Sequence, residues 1–143
     1  MTVYQSIMVG IDGSDKATRA FDIGSQLAVA LKAKLYLVSV INRDVGMDSS
    51  FGVSEDFYRD MADKAKANLD KYAAKAKDLG IEVADESIVG NAKTVLAKSF
   101  PQEHQVDLII MGSTGLNGLR DMMVGSHSSY VIRRSACDVL VVK

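Results

Sequence analysis

Four stretches of this chain are apolar at nearly every consecutive position: Ile7-Met8-Val9-Gly10-Ile11, Leu35-Tyr36-Leu37-Val38-Ser39-Val40-Ile41, Leu108-Ile109-Ile110-Met111 and Val139-Leu140-Val141-Val142. A strand with one face in water alternates apolar and polar side chains. A run without alternation is the pattern of a strand covered on both faces, as in a parallel sheet held between helices. The segments between the runs carry helical spacing. Ser14 stands as an N-cap with Asp15 in the first turn, and Ala20, Ile23, Gly24, Leu27, Ala28 and Leu31 recur on one stripe. From Glu55 a second stripe runs through Met61, Ala65, Leu69, Tyr72, Ala76 and Leu79, and Gly80 supplies the stop.

Residues 81–89 alternate, with Glu82, Asp85 and Glu86 set among Ile81, Val83 and Ile88, which is the pattern of a half-exposed edge strand. Gly90-Asn91 then turns into a helix bearing Ala92, Val95, Leu96 and Ser99 and closing near Pro101. A short helix over 126–134 and a last strand over 136–142 complete the chain. Five strands alternating with four helices predict an α/β fold: one doubly wound, Rossmann-like parallel sheet with helices on both faces. The expected order is 3-2-1-4-5, with the polar third strand at one edge and the apolar fifth at the other. An uncovered apolar edge invites pairing, so a homodimer through Val139 to Val142 is expected.

The chain has 143 residues, enough for one domain spanning 1–143 with a real core. A net charge of −1 argues against a nucleic-acid surface. No apolar run approaches membrane-spanning length and no signal-peptide pattern is present, so no membrane partner is expected and the cytoplasm is the expected location. Cys137 is the single cysteine, which excludes an internal disulfide and reads as a packing residue opening a strand. With only His104 and His127 a three-histidine metal site is excluded.

Chemistry concentrates after the fourth strand, in Gly112-Ser113-Thr114-Gly115 and, after nine intervening residues, Gly125-Ser126 at a helix start. Glycines let backbone N–H groups approach a ligand, and a helix start adds free N–H groups and partial positive charge. Two readings of this stretch stay open on its residues alone, a phosphate cradle and a glycine-rich surface loop. Its expected place beside the first strand favours the cradle, because ligands of such sheets sit where the strand order reverses. There Asp12 could accept hydrogen bonds from a ribose or an adenine amine, although Asp-Gly-Ser is also a plain capped turn. Val40 and Ile41, ending the second strand, could wall a base. The segment 42–54 is a long loop leaving the same end of the sheet.

The chain resembles the universal stress protein (UspA) family along essentially its whole length. The resemblance is carried by Val9-Gly10-Ile11-Asp12-Gly13-Ser14, Val89-Gly90-Asn91 and Cys137-Asp138-Val139-Leu140-Val141-Val142. Its most specific part is Gly112-x2-Gly115-x9-Gly125-Ser126, which looks like the motif of the ATP-binding subgroup. The resemblance implies ATP as ligand, with adenine and ribose near Asp12 and the end of the second strand and phosphates on Gly115, Gly125, Ser126 and the following turn. Gly112, Gly115 and Gly125 match the motif glycines and Ser126 its hydroxyl position, with Ser128 as a further phosphate contact. Mg²⁺ or Mn²⁺ would ride on the phosphates, and members of this kind are usually dimers.

Three positions stand apart from that pattern. Ala92 replaces a common proline, His127 replaces a small residue and is either a tolerated surface side chain or an extra phosphate donor, and Arg120 is the only cation between Gly112 and Ser126. No lysine occurs from Gly112 to Ser128, where a Walker-type loop would need one. The expectation is therefore ATP binding without fast turnover, for regulation in a stress response through a protein partner that the sequence does not name. The competing expectations are a slow ATP hydrolase or adenylyl-group enzyme, and a nucleotide-free dimeric scaffold.

Overall fold

A computed structural model describes residues 3–43, 55–113 and 126–143, with the Ser126 side chain excepted. The elements are β1 Ser6–Gly10, α1 Asp15–Leu31, β2 Lys34–Asn42, α2 Glu55–Asp78, β3 Val83–Gly90, α3 (Ala92–Thr94, Val95–Ser99 and Phe100–His104), β4 Leu108–Gly112, α4 Ser126–Arg134 and β5 Asp138–Val142. The five strands form one sheet in the order β3-β2-β1-β4-β5, every pair parallel. This is the expected topology, with β3 and β5 at the edges. The third and fifth strands begin two residues later than the sequence pattern suggests.

The unbroken apolar runs are explained by what covers each face. Ile7, Val9, Leu35, Leu37, Leu108 and Ile110 point to one side and pack on Ala20, Phe21 and Ala28 of α1 and Leu69, Ala73 and Ala76 of α2. Met8, Tyr36, Val38, Ile109 and Met111 point to the other side and meet Leu96, Ala97 and Phe100 of α3 and Val131 of α4. Each buried Val, Leu, Ile, Phe or Met among them contributes about 1.5–3 kcal/mol relative to exposure.

Helix ends follow their local chemistry. The Ser14 hydroxyl accepts from Ala17 N at 3.1 Å and the Asn91 side chain accepts from Thr94 N at 3.0 Å, each capping the helix that follows. At the end of α2, Gly80 takes φ +80°, with Gly80 N donating to Lys77 O and Ile81 N to Ala76 O. That is a Schellman closure, and Ile81 and Ala76 share the core beneath it. The ends of α1 and α3 put Lys32 (φ 56°) and Gln105 (φ 54°) in the same left-handed position. A Cβ is strained there. Lys32→Gly and Gln105→Gly are therefore each expected to stabilise the protein by about 0.5–1 kcal/mol, read from urea midpoints, and unchanged midpoints would contradict this.

One expectation fails. The sequence pattern closes the third helix near Pro101, but α3 continues to His104. Proline has no N–H to donate, and the helix passes it by widening into a π turn over Val95–Ser99, in which Phe100 N reaches Val95 O.

Between α2 and β3, Lys66 Nζ donates to Asp70 at 2.5 Å and to Asp85 at 2.9 Å. Burial, then the hydrogen bond shared with Asp70, holds Asp85 above the usual carboxylate range. The hydrogen bond from Asp85, then that from Lys66, holds Asp70 below it. The bonds to Asp70 and then Asp85 hold Lys66 above its ordinary value, so the lysine itself keeps its charge until pH rises through that raised value, whereas in acid the pair weakens as Asp70, held low by it, takes up a proton. Two ionised carboxylates face each other at pH 7 without Lys66, whereas in acid one is protonated. Lys66→Met is expected to lower the urea midpoint more at pH 7 than at pH 3; equal losses would show that the ion pairs are not what the lysine supplies.

Candidate functional site

Three parallel ladder pairs join β1 to β4, the last being Val9 with Ile110, and beyond them the strands part. The cause lies in which neighbour each end holds. Past β1 the chain leans toward β2, because Ile11 N donates to Val38 O at 2.9 Å and the buried Ser39 hydroxyl donates to Ile11 O at 2.6 Å. Past β4 it leans the other way, with Ser113 N donating to Val142 O of β5 at 2.8 Å. The chain from β1 then enters α1 on one face of the sheet, and α4 packs on the opposite face. A crevice at the carboxyl ends of the strands results, at the switch point where such sheets bind ligands.

Asp12 stands on the β1 lip. One carboxylate oxygen, Oδ1, accepts from Ser14 N at 3.0 Å, closing a turn in which Gly13 has φ +84°. The side chain is exposed, and Oδ2 makes no bond among the described residues. The turn fixes the carboxylate while leaving one oxygen for a donor. Gly112 ends β4 on the opposite lip, and its carbonyl accepts from the Ser128 hydroxyl at 2.7 Å. Ser128 is itself buried, so the first turn of α4 is tied to the end of β4. His127, on the same turn, is exposed. Ser126 begins α4, whose first-turn N–H groups carry partial positive charge. Val40 and Ile41 are half-buried near the end of β2, Val40 resting on the α3 side of the core.

Asp12, Val40, Ile41, Gly112, His127 and Ser128 are thus placed at one end of the sheet, and Ser126 is placed by its backbone. Gly115, Gly125 and Arg120 lie outside the described residues, as does most of the 42–54 loop.

Several residues that shape the crevice are missed by sequence patterns. Lys16, in the first turn of α1, extends its ammonium to Ser113 Oγ at 3.1 Å and spans the two lips. Asn42 accepts from Ala92 N at 3.0 Å, and Arg43 N donates to Gly90 O, joining the end of β2 to the start of α3. Ser39 offers the one available signal, the single serine within the run Leu35 to Ile41, since a buried hydroxyl needs a partner.

Residues 3–143 match the model of the universal stress protein family. A putative universal stress protein of Staphylococcus saprophyticus is 33% identical over 145 residues, covering 100% of this chain and 86% of the relative. Among solved structures, the hypothetical protein MJ0577, the subject of a structure-based assignment of biochemical function, superposes with a TM-score of 0.87 at 27% identity, covering 99% of this chain and 97% of that one. A universal stress protein solved in complex with cAMP superposes with a TM-score of 0.71 at 29% identity, covering 98% and 97%. With the parallel sheet and its order shared along the whole length, the chain belongs to the universal stress protein family.

Proposed function

We propose that this protein binds ATP in the crevice between β1 and β4 and acts as a nucleotide-dependent regulator in a stress response, without rapid turnover of the nucleotide. The observation that carries the reading is the divergence of β1 and β4, which sets the free oxygen of Asp12 opposite Gly112 and the start of α4. Asp12 would accept from the ribose or the adenine amine, Val40 and Ile41 would wall the base, and Gly115, Gly125 and Ser126 would receive the phosphates, with His127 beside them. Ser128 would support that end of the site through Gly112. A Mg²⁺ or Mn²⁺ ion would be carried by the phosphates rather than by protein side chains. The relative bound to cAMP supports a nucleotide in this fold.

The assembly proposed is a homodimer joined through Val139 to Val142, because β5 is a sheet edge and Leu140 on it is 37% exposed. Ligand binding at the crevice would change the surface that a protein partner meets.

The test is to purify the protein, identify the small molecules released on denaturation, and follow ADP and AMP during incubation with ATP and Mg²⁺. Recovery of adenine nucleotide with no sustained product release is expected. Steady ADP or AMP formation over many turnovers would instead make the protein an enzyme.

A further inference from the structure

The two lips of the crevice carry opposite charges. On the β1 lip, Asp12 gives one oxygen to Ser14 N, and its Oδ2 makes no bond among the described residues. On the β4 lip stands the Lys16 ammonium, 3.1 Å from Ser113 Oγ. Lys16 reaches that lip from the other side. It belongs to the first turn of α1, and because Cα–Cβ bonds tilt toward a helix N-terminus, a long side chain there extends past the helix start. The start of α1 follows directly on the Asp12 turn, so the side chain crosses the gap between the strands.

Two features separate this lysine from a solvated surface charge. It is half-buried, and the hydroxyl that holds its head belongs to a residue only 2% exposed. Ser113 is fixed in turn by its N–H to Val142 O of β5. The hydroxyl is uncharged, so it orients the ammonium without cancelling its charge. The placement is also specific. Ser113 follows Gly112, the first glycine of the spaced series Gly112, Gly115 and Gly125, so the ammonium stands where that series begins.

A ligand that suits both lips has hydrogen-bond donors at one end and negative charge at the other. A nucleoside has only the donors, whereas a nucleotide has both. A Walker-type loop carries its phosphate lysine within the loop, and residues 112–128 contain none.

We propose that Lys16 supplies this charge from α1: it donates to a phosphate oxygen of the bound nucleotide and sets the preference of the crevice for phosphorylated over unphosphorylated nucleosides. The inference rests on the nucleotide reading of the crevice and adds the residue that reads the phosphate. An ammonium is a compact charge with three donors, so one lysine can hold Ser113 and meet a phosphate oxygen together.

The test compares wild type, Lys16→Met and Lys16→Arg, with ATP affinity read by calorimetry, adenosine affinity by saturable amide shifts, and urea midpoints as the control for folding. Lys16→Met is expected to weaken ATP by about 10- to 100-fold, the cost of one charged hydrogen bond, and to leave adenosine affinity unchanged. Lys16→Arg is expected to recover most of the ATP affinity. Equal losses for ATP and adenosine would make Lys16 a strut between the lips. Unchanged ATP affinity in Lys16→Met would remove it from the site, and Lys16→Arg binding no better than Lys16→Met would show that its charge is not what the ligand needs. Each of these overturns the inference and leaves the nucleotide reading standing, whereas a wild-type protein that binds no ATP overturns both.

Discussion

Gly24→Ala is expected to lower the stability of the protein by about 1–3 kcal/mol, although helix propensity alone would raise it by about 1 kcal/mol. Gly24 lies within α1 and faces the sheet. A Cβ built there would stand 2.6 Å from Val9 Cγ2, with Ile110 Cδ1 at 3.5 Å and Leu35 Cδ1 at 3.8 Å. Val9 is fully buried and its branched side chain is stiff, so it has little room to turn away. The missing Cβ is what lets α1 settle against β1, and through β1 it sets the position of the Asp12 turn. Val9→Ala in the same chain should relieve the contact, so the double variant is expected to be more stable than the sum of the single losses by about 0.5–3 kcal/mol. Additive losses, or a gain from Gly24→Ala alone, would show that the helix does not depend on this approach.

Asp12→Ala is expected to weaken ATP binding by about 10- to 100-fold, the cost of losing one charged hydrogen bond to the ligand. The substitution also removes the acceptor of Ser14 N, so a loss by itself would not separate contact from turn. Asp12→Asn separates them. Its side-chain oxygen can still accept from Ser14 N while the charge disappears and one oxygen becomes an N–H donor. The asparagine variant should therefore unfold at the wild-type urea concentration and still bind ATP more weakly. Wild-type affinity in Asp12→Asn, with weak binding only in Asp12→Ala, would assign Asp12 to the turn alone.

The sheet was legible because its signals are local. An unbroken run such as Ile7 to Ile11 needs cover on both sides wherever it lies, and the alternation of Glu82, Asp85 and Glu86 suits only an edge. The caps at Ser14 and Asn91 and the stop at Gly80 act within a few residues of themselves. Pro101 misled for the same reason, since a local rule ends the helix where tertiary packing of Phe100 on Tyr36, their rings 5.5 Å apart, carries it onward.

The site is less legible because its parts meet across the chain. Lys16 and Ser113 are 97 residues apart, and Ser39 and Ile11 are 28 apart. No spacing rule joins them. Ser128 shows the limit most clearly: its place in the motif suggests a phosphate contact, and the direction of its hydroxyl, toward Gly112 O, is visible only in three dimensions. Asp12 and Gly112 were legible because the sheet order puts their strands side by side before any side chain is considered.

The central claim is that the crevice is a nucleotide site, and a calorimetric titration of ATP into the purified protein, stripped of bound nucleotide, tests it most directly. Heat that saturates at one ATP per chain, and that is absent when Gly125→Val is titrated in parallel, is the predicted result. No binding heat in the wild-type protein, or the same affinity in Gly125→Val, would contradict it.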